Sequence, residues 1–141
     1  MATRYLEILS MQRPFPFDVD ENQRVQFSCN YTALAAAPAV SFEEEILKIL
    51  NDAGLATQRV GSTGDTWIGP AGTIPATSGA GPFITIIDTG GTAPMETHDG
   101  ITYERLSVQI VVRAVSYSVA RTRALAIWRE LDGKRNVTVA A

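Results

Sequence analysis

The sequence predicts an α+β domain: an antiparallel sheet of four to five strands with two helices packed on one face. Three observations lead there. Arg24–Tyr31 alternates cleanly, with Val25, Phe27, Cys29 and Tyr31 on one side. Ile101–Ala114 does the same over a longer run, Leu106, Val108, Ile110 and Val112 opposing Ser107, Gln109, Val111 and Arg113. Two other stretches, 42–53 and 116–132, carry apolar residues at helical spacing instead.

The elements follow in order. Residues 4–11 read as a strand in which Tyr5, Glu7 and Leu9 alternate with Leu6, Ile8 and Ser10. Pro14 and Pro16 end it, because proline cannot donate to a central ladder. An acidic turn, Asp18–Asn22, leads into the strand at Arg24–Tyr31, and the two strands form a hairpin-like piece over 1–31. Thr32–Val40 is small, apolar and broken by Pro38, and reads as a linker. Ser41 and Glu44 make a capping box for the first helix. Glu43, Glu44 and Glu45 favour the positive end of its dipole. Phe42, Ile46, Ile49, Leu50 and Ala53 form its apolar face, and Gly54 ends it.

Beyond Leu55 the chain loses regularity. Trp67-Ile68 reads as a short strand and Gly69–Pro82 as a glycine- and proline-rich loop. Phe83–Asp88 is apolar on both faces and reads as a central strand. Thr89–Gly100 reads as a long loop before the strand at Ile101–Ala114. Ser116 caps the second helix, with Tyr117, Ala120, Ala124, Ile127, Trp128 and Leu131 on its buried stripe, and Gly133 ends it. Asn136–Ala140 is a last short strand. There is no internal repeat, and 141 residues suit a single domain over 1–141.

Composition removes several function classes. A hydrophobic fraction of 45% with 19% charged residues is too apolar for a disordered chain. A net charge of −3 is unlike that of a protein that wraps nucleic acid. One cysteine, Cys29, and one histidine, His98, cannot supply a structural zinc site or an internal disulfide, so neither metal nor cofactor is expected. No apolar run reaches the roughly 20 residues that span a bilayer, and the first residues lack a signal-peptide layout. The chain reads as made in a reducing cytoplasm.

One triplet suggests chemistry. Ile86-Ile87-Asp88-Thr89-Gly90 is similar to the active-site loop of retroviral-type aspartic proteases, in which two aspartates from a dimer share a proton. Gly91 stands where that family has alanine or serine, its second motif is absent, and a strand ending in a glycine-rich turn is the favoured reading of the triplet. His98, beside Glu96 and Asp99, reads as a solvated loop residue, and Cys29 as a buried thiol. The Gly69–Gly81 stretch lacks the Gly-Lys-Ser/Thr ending of a phosphate loop.

A second resemblance spans much more of the chain. The helix FEEEILKIL, the turn DTGG, the loop ending HDG, the strand YERLSVQIVVRA and the helix with Tyr117, Ala120, Ala124 and a terminal LDG follow one another over 42–133. In order and spacing this segment resembles the phage tail terminator and minor capsid (neck, tail-completion) family. Members of that family begin near the first helix and finish with a hairpin after the second. Here the hairpin-like piece, with Gln12-Arg13-Pro14-Phe15 and Asp20-Glu21-Asn22, comes first. The chain therefore resembles a circular permutant of the family, with TALAAAPAV as the join; the alternative is an N-terminal extension that looks like the missing hairpin.

The resemblance implies a structural virion protein of the tail or neck, assembled in the host cytoplasm and without enzymatic activity. It implies a homo-oligomeric ring, a hexamer, that caps the tail tube. Its partners would be the tail tube protein and a neck or head-completion protein, with no membrane and with room for transient contact between lumenal side chains and DNA. A closed ring needs two complementary patches per subunit. The candidates are Arg13, Phe15 and Phe17 in the proline-rich segment, Thr89, Met95 and His98 in the long loop, and Arg121 and Arg129 on the second helix. Two other readings are open: the dimeric protease using Asp88-Thr89-Gly90, and an α+β binding module that does not assemble.

Overall fold

The computed structural model describes residues 3–19, 25–36, 42–60, 63–69, 81–96, 98 and 102–140. Seven strands and two helices follow in chain order: β1 (Thr3–Ser10), β2 (Phe15–Val19), β3 (Val25–Ala36), α1 (Phe42–Asp52), β4 (Thr66–Ile68), β5 (Phe83–Glu96), β6 (Thr102–Ala114), α2 (Tyr117–Leu131) and β7 (Lys134–Ala140). They form one sheet in the order β4-β5-β6-β3-β1-β7, with β2 attached to β3. Every pair is antiparallel except β4 with β5. The architecture is the α+β one that the alternating and helical patterns predict, with seven strands in place of four or five.

Register places the core. Phe27 pairs with Val112 and Val112 with Ile84; Cys29 pairs with Ile110 and Ile110 with Ile86. These residues therefore share one face, and all six are buried. Tyr31, Ala33, Val108 and Ile8 continue the same face toward β1. The two helices cover it. α1 lies over β4, β5 and β6, and α2 over β6, β3 and β1. Phe42, Ile46, Ile49 and Leu50 enter from α1, and Ala120, Ala124, Ile127 and Leu131 from α2. Each fully buried Ile, Leu or Val contributes about 1.5–3 kcal/mol relative to exposure, so this layer dominates the stability. The opposite face carries Ser28, Gln109 and Thr85, and Gln109 donates a side-chain hydrogen bond to Ser28 at 2.8 Å.

Several boundaries differ from expectation. Thr32–Ala36, read as a linker, is the second half of β3, paired to β1 on one side and β6 on the other. The strand character of this alanine-rich segment comes from its pairing on both sides and not from intrinsic propensity, and the absence of turn chemistry is then natural. The supposed loop from Thr89 is strand as far as Glu96, paired to β6 through two register shifts, at Asp88/Gly90 and Thr92/Met95. Glycine and proline mark bulges here and not an exit from the sheet. β2 contains Pro16 and is an edge strand, consistent with the missing donor.

The helices deviate in detail. Gly54 takes φ 74° after α1, as a helix-ending glycine should, whereas Ala53 is exposed and Leu47 and Glu45 are buried. Ser116 is the N-cap of α2, but its hydroxyl lies 3.0 Å from Ser118 Oγ and makes no capping bond. Tyr117 is 52% exposed and off the buried stripe, its ring edge-on to Phe27 at 5.2 Å. Ser41 and most of the glycine-rich loop lie outside the described residues.

Candidate functional site

Asp88-Thr89-Gly90 sits on the first bulge of β5, exposed throughout. Asp88 Oδ1 accepts the Gly90 backbone N–H at 2.6 Å, an Asx-type turn that holds the bulge. Gly90 has φ 94° and Gly91 φ 150°. A Cβ on Gly91 would fall 2.0 Å from the Arg105 carbonyl oxygen across the ladder, so glycine is required there by close approach. His98 is exposed in a turn between β5 and β6. Among the described residues no group of three or more His, Cys, Asp or Glu is placed to hold a metal ion. No helix among them is long and apolar enough to cross a membrane.

A polar cluster that sequence spacing does not reveal lies where β1 ends against the C-terminal turn of α2. Ser10 donates its backbone N–H and its hydroxyl to the same oxygen of Asp132, at 2.9 and 2.7 Å. The Trp128 indole N–H donates to Ser10 Oγ at 2.8 Å. The Arg13 guanidinium stands 5.3 Å above the Trp128 ring. Beneath it, the Cys29 thiol donates to the Gln12 carbonyl at 2.9 Å. Burial pushes the Cys29 thiol up, the nearby Asp132 charge adding to it. Burial likewise pushes the Tyr31 phenol up, helped by the neighbouring Cys29. Neither group is set up as a nucleophile, since both are held in their neutral forms. The cluster ties the β1–β2 corner to α2.

The candidate interface residues separate onto two sides of the molecule. Arg13 and Phe15 are exposed at the β1–β2 corner, and Arg121 and Arg129 are exposed on α2, which overlies this side. Thr89 and His98 are exposed on the other side, along and beyond β5. The side chains of Phe17 and Met95 lie outside the described residues. Arg123 behaves differently from its neighbours on α2: its Nη1 donates to the Leu55 carbonyl and lies 3.5 Å from Asp65, locking α2 to the loop after α1. Among the described residues nothing pairs with the outer side of β7, or, beyond Ile86, with the side of β5 that faces away from β6. At those positions backbone donors and acceptors face outward.

No family model, no curated protein and no solved structure matches the chain.

Proposed function

We propose that this chain is a structural subunit of a closed ring that terminates a phage tail or completes the head–tail neck. The observation that carries the reading is the separation of exposed candidate residues onto opposite margins of one sheet, Arg13 and Phe15 on the β1–β2 side and Thr89 and His98 on the β5 side. A closed cyclic assembly uses two different patches per subunit, one meeting the other on the next copy. A two-fold dimer would use one patch twice.

The order of elements supports the same reading. Thr3 pairs with Ala140 and Arg4 with Val139, so β7 and β1 run as an antiparallel pair with those residues side by side. Followed from α1, the elements are helix, strands, helix and then β7, β1, β2 and β3. With the join placed between β3 and α1, this order resembles that of the tail terminator family, which begins near the first helix and finishes with a hairpin after the second. The ring would be a hexamer that caps the tail tube, meets a neck or head-completion protein on its other face, and leaves room for DNA in its lumen. Negative-stain imaging of the purified protein tests it. Closed annuli with a central channel are expected. Open filaments or compact particles of two subunits would count against it.

A further inference from the structure

The charges of this chain are not mixed evenly over its surface. α1 carries Glu43, Glu44, Glu45 and Asp52 against a single base, Lys48. It overlies β4 and β5, and β5 adds Asp88 on that side. Glu44, Asp52 and Asp88 are exposed. On the other side α2 carries Arg121, Arg123 and Arg129 against Glu130, and Lys134 opens β7. Arg123 is consumed within the molecule, Lys134 pairs with Glu130 and Asp52 pairs with Lys48, while Arg121, Arg129 and Arg13 are exposed. Arg59 on the first side and Asp132 on the second run against the trend, yet the exposed charges leave the α1/β5 margin net acidic and the α2 margin net basic. Among the described residues, the two most exposed large apolar side chains follow the same division. Val60, 70% exposed, lies beyond β4, and Met11, 67% exposed, lies at the β1–β2 corner.

Such segregation inside one chain disfavours like-to-like contact and favours head-to-tail contact, because each acidic margin can meet a basic one only on another copy. Resting on the ring reading above, we infer that the α1/β5 margin of one copy docks on the α2/β7 margin of the next. Arg121 and Arg129 face Glu44 and Asp52 across the contact, and Met11 and Val60 supply its apolar part. The partner is a second copy of this chain, and the contact is heterologous. Because most of the pairs are at the rim of the contact and solvated, they set orientation and partner choice, and salt weakens them.

Charge reversal tests the inference. Arg121→Glu with Arg129→Glu makes both margins acidic. Glu44→Lys with Asp52→Lys makes both basic. All four positions are on exposed helix surface, so thermal melts should show each variant folded. Each double variant alone is expected to lose the ring peak on a sizing column at concentrations where the unaltered chain is fully assembled. An equimolar mixture of the two is expected to recover it, with copies alternating around the ring. If both double variants assemble like the unaltered chain, the margins are not the contact, although the ring stands. If each fails alone and the folded mixture also fails, the two margins do not meet one another. An unaltered chain that stays monomeric or forms only a dimer overturns both this inference and the ring.

Discussion

Thr3 and Ala140 face each other across the β1–β7 ladder, although nearly the whole chain separates them in sequence. The sheet therefore has the same pairing whichever of its connections is cut, provided the cut falls between paired strands. Joining Ala140 to Thr3 with a short glycine-containing turn, and opening the chain between Ala36 and Phe42, is expected to give a protein with the same far-UV circular dichroism and a single cooperative melt. Backbone tolerance at surface connections is the reason. A chain so rearranged that forms no cooperative structure would show that the Thr32–Ala36 half of β3 must be joined directly to α1.

Ser10 joins the end of β1 to the C-terminal end of α2 at one point. It satisfies the Trp128 indole and gives two hydrogen bonds to Asp132. Ser10→Ala removes the hydroxyl and strands the partly buried indole N–H, a loss of about 1–2 kcal/mol. Urea denaturation should show a lower midpoint at unchanged slope. Asp132→Asn keeps an acceptor for Ser10 and should cost less.

Alkaline pH should loosen the same region. Burial raises the Cys29 thiol above its ordinary value of 9.0 and the Tyr31 phenol above 10.0. Both groups are neutral when protonated, so the folded state retains protons that the unfolded chain releases. Their contribution is complete below about pH 9 and is lost progressively as pH rises above the unfolded values. Melting temperature should be flat through neutral pH and fall from about pH 9 upward. Cys29→Ala should remove the earlier part of that fall.

The Asp-Thr-Gly bulge gives a graded series. Asp88→Asn keeps an oxygen that can accept the Gly90 N–H, so assembly and stability should be close to unchanged, and no acid-dependent self-cleavage should be there to lose. Gly90→Ala meets no atom within 4 Å and costs only the positive-φ penalty of about 1–2 kcal/mol. Gly91→Ala drives a Cβ onto the Arg105 carbonyl and forces β5 from β6, so it should be the most damaging of the three by thermal melt.

What could be read from the residues was what depends on local period. The odd-numbered face Phe27–Tyr31, the even-numbered face Val108–Val112 and both helices are visible because one side of each is buried by neighbours that do not vary along its length. Thr32–Ala36 and Thr89–Glu96 were legible only as irregular, since their strand character comes from pairing with β6 and not from their own composition. The Ser10–Trp128–Asp132 cluster joins residues more than a hundred positions apart, and no local pattern announces it. Arg121, Arg123 and Arg129 look alike in sequence, yet Arg123 alone turns inward to Leu55 and Asp65, because it lies on the side of α2 nearest α1.

The most direct measurement is the mass of the intact assembly by native mass spectrometry at low ionic strength. One dominant species of about six times the 15.2 kDa chain mass, with no ladder of larger multiples, is the expected result. A monomer persisting at high concentration, or a two-fold dimer as the largest species, would contradict the ring.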